Sequence, residues 1–199
     1  MSIPRGGFWP VRHLNGGATF QTTRIRKDST PPKLDEALIY VGDPVRVLSG
    51  KAVRISAADC SALSCGLFGV VARVLVNEDG RPRVHGLPDQ HPNISLTADA
   101  DWLDVYTDPG IVYSCRVAGS ATNELIGSAL NVASTARVTA AGISGAMINA
   151  TAVSANTGLF VGVAVSNFDL DGGGSDAGGR MEVVMNYGPL KTAGTAPGA

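Results

Sequence analysis

Two histidines near the middle of the chain are spaced so that they could hold a metal ion. His85 and His91 flank a loop that contains Asp89, and two imidazoles with a carboxylate are a common ligand set. The pair lacks the His-x-His or His-x-x-x-His spacing that places both rings on one face of a strand or helix. We therefore interpret them as solvent-exposed loop residues and expect no bound metal.

An acidic, glycine-rich segment with the sequence DLDGGGSD, Asp169 to Asp176, is a second candidate ion site. Alternating carboxylates and a glycine that permits a tight turn are typical of calcium-binding loops. An EF-hand would need flanking helices and a glutamate at the twelfth loop position, which is Arg180 here. The motif therefore fails, and we predict a hairpin tip between two strands.

Four aspartates surround Trp102, and paired carboxylates are the usual acid and base of glycoside-cleaving enzymes. The four are Asp99, Asp101, Asp104 and Asp108. Their alternation with small or apolar residues is instead typical of the start of a strand with solvated carboxylates. The chain also lacks the nucleophile-elbow, phosphate-loop, zinc-protease and dinucleotide-binding motifs. We therefore expect a protein that is not an enzyme and uses no cofactor.

The three cysteines, Cys60, Cys65 and Cys115, form no Cys-x-x-Cys pair and have no histidine nearby, which disfavours a zinc site. An odd number leaves one thiol unpaired in any disulfide scheme. We predict that all three are small buried apolar residues of a protein made in a reducing compartment. A Cys60–Cys65 disulfide remains the alternative.

The composition excludes several classes of protein. The 199 residues carry a net charge of −1 with 17% charged residues, which argues against a nucleic-acid partner bound through bulk positive charge. A hydrophobic content of 44% at low net charge drives collapse and argues against full disorder. The N-terminus has no signal-peptide core, and the longest uncharged apolar stretch, Gly158 to Val165, is too short to cross a bilayer. We expect a soluble protein with no membrane partner.

Short runs rich in Val, Ile, Tyr and Phe alternate with Gly, Asp and Pro turns beyond the first 35 residues. They predict eight strands: Ala37–Val41, Val45–Leu48, Ala52–Ile55, Leu67–Val76, Leu103–Tyr106, Ile111–Val117, Leu159–Val165 and Met181–Tyr187. One short helix is predicted over Asn123–Ala133, with Leu125, Ile126 and Leu130 on one side. The predicted fold class is mainly β: a small β-barrel or β-sandwich body with at most one short helix.

The first 35 residues differ from the rest in charge and pattern. They carry six basic and two acidic residues, a net charge of +4, whereas the remainder has a net charge of −5. Prolines and Gly-Gly pairs interrupt any periodicity. We predict an extended N-terminal arm over residues 1–35, a β-rich body over 36–189 and a flexible tail over 190–199. The adjacent Phe8 and Trp9 favour an arm ordered by another surface, and the alternative is a hydrophobic plug against the protein's own barrel.

The segment GFWPVRHLNG, residues 7–16, resembles the opening of a family of tailed-bacteriophage virion proteins, which begin Gly-Phe-x-Pro-Val-Arg/Lys-His-Leu-Asn-Gly. Trp9 stands where an arginine is common, and Val184-Met185 stands where the closing strand has Arg-Ile. Further segments are similar to the family's GDPV strand entry, GVVVGV strand, ADDPDVVFEV stretch, GLSGMEL segment and closing VRIN strand. In order, they are Tyr40–Val45, Gly66–Val71, Asp104–Tyr113, Gly142–Met147 and Glu182–Tyr187.

The resemblance implies a cement or decoration protein that binds the outer surface of the phage head and stabilises the capsid. The implied partner is the major capsid protein, and the implied location is the virion after synthesis in the host cytoplasm. The basic arm would lie on an acidic shell surface with the acidic body facing away. The expected capsid-binding residues of the arm are Phe8, Trp9, Pro10, Val11, Arg12, His13, Leu14, Asn15, Arg24 and Arg26.

We also expect a homotrimer at threefold and quasi-threefold positions of the particle, because closed symmetry hides sheet edges and raises avidity. Two alternatives stay open. One is a different virion component, such as a head fibre or a tail-associated protein. The other is a polysaccharide-binding or polysaccharide-hydrolysing β domain that uses the aspartates around Trp102.

Overall fold

Strands dominate the chain wherever Val, Ile, Tyr and Phe alternate with polar residues. The computed structural model describes residues 7–17, 20–26, 39–55, 66–78, 81–84, 102–134, 144–153, 158–166 and 179–186. In these residues the chain is mainly β, which confirms the predicted fold class. Their strands are β1 (Trp9–His13), β2 (Thr22–Arg26), β3 (Pro44–Leu48), β4 (Lys51–Arg54), β5 (Gly69–Glu78), β6 (Arg81–Val84), β7 (Trp102–Tyr106), β8 (Ile111–Ala118), β9 (Ala129–Leu130), β10 (Val132–Ser134), β11 (Met147–Asn149), β12 (Phe160–Ser166) and β13 (Arg180–Met185).

The first sheet is nearly closed into a barrel. Its strand order is β10-β11-β8-β13-β12-β9, and β1 also pairs with β8. Asn131 alone separates β9, which pairs with β12, from β10, which pairs with β11. Asn131 bonds to both sides of this seam, because its Oδ1 accepts from the Leu159 amide at 3.1 Å and its carbonyl accepts from the Asn149 amide at 2.8 Å. One short stretch of chain therefore joins the two ends of the sheet.

The second sheet has the order β2-β7-β5-β3-β4, with β6 paired to β5. The side chains of Val71, Leu103 and Val105 pack with Ile39 in a small separate core. The alternate residues of β7, including Asp104 and Tyr106, lie on the opposite face because strand side chains alternate. Tyr106, the last residue of β7, packs against the main core, so this face of the second sheet contacts the barrel where β7 ends.

The main core fills the barrel. Its largest fully buried side chains include Tyr113, Phe160, Met181 and Phe8. Val70 of β5 and Ile55, which follows β4, belong to the same core. The main core therefore also contacts the second sheet, in addition to that sheet's own small core.

Two predicted elements differ from the structure. The helix predicted over Asn123–Ala133 is wrong, because a 3₁₀ turn ends at Leu125 and strands β9 and β10 follow. Gly127, between the 3₁₀ turn and β9, has a φ of +77°, a left-handed conformation that ends a helix. The predicted strand Ala37–Val41 is not a strand in its described part, residues 39–41, where the chain enters a turn that buries Tyr40.

Residues of the predicted arm form two strands that the periodicity did not indicate. β1 pairs antiparallel with β8 of the barrel, and β2 pairs antiparallel with β7 of the second sheet. Each sheet thus gains one strand from residues 1–35, and these strands are integral to the body rather than extended beside it. The predicted tail, residues 190–199, lies outside the described residues.

Candidate interaction surface

Phe8, the first predicted anchor, lies in the chain's own core. Its side chain is 1% exposed, and its ring stacks on Phe160 with centroids 4.5 Å apart and an interplanar angle of 11°. This is the hydrophobic plug that the sequence left as the alternative. A ring in this position stabilises the barrel and cannot at the same time contact another protein.

Two glycines allow the chain to enter the core at Phe8. Gly7 has a φ of +81° and Gly42 a φ of +88°, and a Cβ on Gly42 would lie 3.3 Å from the Gly7 Cα. The Phe8 amide donates to the Gly42 carbonyl at 2.9 Å, and the Gly7 amide donates to the Ala146 carbonyl at 3.0 Å. Glycine is needed at both positions because the backbones touch and the dihedral angles are left-handed.

A buried carboxylate lies next to these glycines. Asp43 accepts hydrogen bonds from the Tyr40 amide at 2.9 Å and from the Ser144 hydroxyl, and Ser144 Oγ accepts from the Ala146 amide at 3.1 Å. Burying a carboxylate is costly unless hydrogen bonds replace its hydration. The Asp43 carbonyl also accepts from the Val71 amide at 2.9 Å, so this junction ties the first sheet to the second.

His13 fixes the end of β1 to the turn between β7 and β8. The Asn15 amide donates to His13 Nδ1 at 3.1 Å, so Nε2 carries the ring proton and donates to Asp108 Oδ2 at 2.9 Å. Asp108 Oδ1 accepts from the Gly110 amide at 2.8 Å. This backbone bond, followed by the His13 bond, lowers the pKa of Asp108. The motif histidine thus has a positioning role within the chain.

The outward part of the first segment contains Arg12 and two apolar side chains. Arg12 Nη2 pairs with Glu182 Oε2 of β13 at 2.7 Å, reaching across β8. Val11 lies at a register shift in β1 and is 48% exposed, and Leu14 in the following turn is 53% exposed. Trp9 and Pro10 are half-buried and Asn15 is exposed. Val11, Arg12, Leu14 and Asn15 are therefore the side chains of this segment that a partner could reach.

Arg24 and Arg26 lie on β2 with their side chains directed across to β7. Arg24 Nε and Nη2 approach the two Asp104 oxygens at 2.9 and 3.4 Å. The Arg26 guanidinium carbon lies 4.9 Å from the Trp102 ring centroid, in a cation–π contact. Part of the charge that was expected to complement an acidic shell therefore pairs with groups of the same chain.

The aspartates near Trp102 do not act as a pair in the described structure. Asp104 is buried and bonded to Arg24, whereas Asp108 is bonded to His13 and the β7–β8 turn. Of the cysteines, Cys115 is a buried free thiol, as the sequence predicted. The remaining candidates lie outside the described residues: His85, His91, Asp89, Asp99, Asp101, Cys60, Cys65 and Asp169–Asp176.

The comparisons with known proteins were negative: no protein-family model, curated protein or solved structure gave a significant match to this chain. Among the described residues, no helix has the length and apolar character needed to cross a membrane. The same residues contain no group of three metal-ligating side chains close enough to hold an ion.

Sequence reasoning missed two features of this surface. Ser144 had no signal of its own, although it lies in a segment that resembles the virion family. Arg73 of β5 was interpreted only as an alternating strand residue, yet its Nε lies 3.7 Å from Asp104 Oδ2 and its side chain is 58% exposed. A cross-strand search for opposite charges would have found Arg73 if the β5–β7 register had been known.

Proposed function

We propose that this protein is a structural component of a tailed-phage virion that binds the outer surface of the head and stabilises the capsid. The proposed partner is the major capsid protein, and the proposed location is the capsid surface. The proposal starts from the six sequence segments that resemble the virion family and follow the same order along the chain.

One structural observation supports that resemblance. Gly7-Phe8 from the first segment, Gly42-Asp43 from the second and Ser144 from a later one meet at a single buried junction. Ser144 lies 101 residues from Asp43 in sequence. Because the residues that carry the resemblance also join the two sheets, a fold shared with that family is a simple reason for their presence.

The docking contacts of this proposal differ from those expected of a free arm. Phe8 is part of the core, so the partner would contact the outward residues of the same segment, Val11, Arg12 and Leu14. Pro10 lacks an amide and Val11 interrupts the register, and both features discourage the addition of another strand to the edge of β1. We therefore propose side-chain contacts rather than a shared sheet.

The experiment that tests the proposal is a copy number from purified particles. Quantitative mass spectrometry of intact virions should give a number of copies that approaches the number of coat subunits. A few to a dozen copies would indicate a tail-associated component instead. Absence of the protein from intact particles would contradict both.

The proposed trimer is tested separately. Analytical ultracentrifugation gives the state in solution, and a reconstruction of the particle gives the state on the head. Closed threefold symmetry would place three identical docking surfaces on one junction of the shell and raise avidity. Density for two or five copies at each site would contradict the trimer.

A further inference from the structure

One face of the second sheet concentrates positive charge in a fixed arrangement. The β2–β7 register places Arg24 opposite Asp104 and Arg26 opposite Trp102. The β5–β7 register places Arg73 opposite Asp104 from the other side. A row Arg24–Asp104–Arg73 therefore crosses three strands, with Arg26 beside it. We call these three arginines the arginine face.

The charges on this face do not cancel. The row and its neighbour consist of Arg24, Arg26 and Arg73 with one carboxylate, Asp104, so the charges of these four side chains sum to +2. Asp104 is almost fully buried, whereas Arg24 and Arg73 are 53% and 58% exposed. The buried carboxylate thus holds the two guanidinium groups in place while their outer edges face solvent.

The two guanidinium groups differ in how much donor capacity Asp104 uses. Arg24 presents Nε and Nη2 to the carboxylate. Arg73 approaches it with Nε at 3.7 Å, which is beyond hydrogen-bond range. No other bond to Arg73 exists in the described part of the chain. Its fork of two amino groups is therefore available for a bidentate contact with a carboxylate.

We infer that the arginine face binds an acidic protein surface and that Arg73 makes the principal contact. This inference rests on the proposed function, since it adds a second surface that would contact the major capsid protein besides Val11, Arg12 and Leu14. Arg24 and Arg73 are separated by two strand spacings, about 10 Å, which suits two or three carboxylates on a folded surface.

A nucleic acid fits the face less well. Non-specific nucleic-acid binding depends on many phosphate contacts over an extended basic surface, and a chain with a net charge of −1 offers only the three arginines of this face. Arg26 covers the Trp102 ring, so that ring does not present the open platform on which a base would stack.

The test uses the full chain and a fluorescein-labelled peptide of twelve glutamates, with binding followed by fluorescence anisotropy at low and high salt. Arg73→Gln should weaken binding by about tenfold, because a bidentate charged contact is lost. Arg73→Lys keeps the charge but not the forked guanidinium. Its affinity for the peptide should lie between those of Arg73→Gln and the unmodified chain. Arg116→Gln removes the same charge from the other sheet and should change binding by about twofold or less.

Three results would overturn the inference. The first is an equal loss of affinity for Arg73→Gln and Arg116→Gln, which would mean a general charge effect. The second is tighter binding of a labelled 20-nucleotide single-stranded DNA than of the peptide. The third is that the peptide does not bind the unmodified chain. Thermal unfolding of each variant checks that the exposed substitution leaves the fold intact.

The same variants separate this inference from the proposed function. Purified heads that lack the protein are incubated with the unmodified chain or with Arg24→Gln/Arg73→Gln. If the unmodified chain binds and the double variant binds equally well, the arginine face is not the docking surface and the proposed function stands. If the unmodified chain does not bind heads, the proposed function fails whatever the peptide shows.

Discussion

The Ser144 hydroxyl donates a hydrogen bond to the Asp43 carboxylate across a separation of 101 residues. Both residues are buried, and the same carboxylate accepts from the Tyr40 amide. The bond lies where the Gly7 backbone touches Gly42. At this point the residues before β1, the turn before β3 and the segment before β11 meet. The junction therefore depends on groups that no single segment of the chain supplies.

Ser144→Ala should lower the free energy of unfolding by about 1–3 kcal/mol, because the Asp43 carboxylate and the Ala146 amide each lose a partner. Urea unfolding followed by circular dichroism measures the change. In a double-mutant cycle with Asp43→Asn the two losses of unfolding free energy should not add, because both variants disrupt the same Ser144–Asp43 hydrogen bond. Ser128→Ala is the control, because its hydroxyl bonds to the Glu124 carbonyl at the surface. Additive effects would show that the two side chains act independently.

Phe8→Ala should destabilise the protein by about 3–5 kcal/mol, because it removes a buried ring that stacks on Phe160 and leaves a cavity. Leu14→Ala, in the same segment but 53% exposed, should change stability by about 0.5 kcal/mol or less. Chemical unfolding of both variants gives the comparison. If Phe8→Ala unfolded like the unmodified chain, the ring would not belong to the core.

The stability should fall at acidic pH partly through Asp108. Its pKa is lower in the folded protein than in the unfolded chain, where a value of about 3.9 is usual. The stabilisation is therefore complete above that unfolded value and is lost as the pH falls through the folded value. The difference in unfolding free energy between the unmodified chain and Asp108→Asn should stay constant from pH 6 to about pH 4 and shrink as the pH falls further. A difference that does not change at acidic pH would contradict the described contacts of Asp108.

Gly110→Ala should displace the His13 ring. An added Cβ would lie 2.6 Å from His13 Cε1 and Nε2, which is too close for either atom to stay in place. We expect a loss of about 1–3 kcal/mol and shifted His13 ring signals in NMR spectra. Gly17→Ala is a matched control, because its Cβ would lie 4.0 Å from the same ring. Unmoved His13 signals in Gly110→Ala would contradict the described contact.

Cys115 should react with thiol reagents only when the protein unfolds. Burial raises the pKa of its thiol, which suppresses the reactive thiolate. In a Cys60→Ser/Cys65→Ser background, the labelling rate with a disulfide reagent should follow global unfolding as urea is added. Rapid labelling of the folded protein in the absence of urea would mean that the β8–β13 region opens locally.

The strands that the sequence predicted are runs rich in Val, Ile, Tyr and Phe between turn residues. β8 is an example, because its alternate residues Ile111, Tyr113 and Cys115 enter the main core. In β5 a register shift between Val71 and Arg73 breaks the alternation. β2 escaped prediction because its outward arginines obscure the pattern and because its partner β7 lies about 80 residues further along the chain. β9 and β10 are too short to show a period, and Asn131 interrupts them.

The candidate surface was predictable in part. The motif residues from Gly7 to Gly16 drew attention to the correct segment, but their individual roles depend on distant partners. Phe8 meets Phe160, and His13 meets Asp108. No local pattern indicates such contacts, because they follow from sheet register. Arg73 illustrates the same point, since only the β5–β7 pairing gives it a carboxylate to face.

The pairing of β1 with the barrel also has a consequence for the order of folding. Arg12 reaches Glu182, which is 170 residues further along the chain. During synthesis β1 is therefore made long before Glu182, and Arg12 has no access to this partner in the growing chain. Contacts of such long range make folding slow. The N-terminal segment can therefore pair with β8 once residues 111–118 have been made, but its ion pair with Glu182 forms only after the chain has grown to β13.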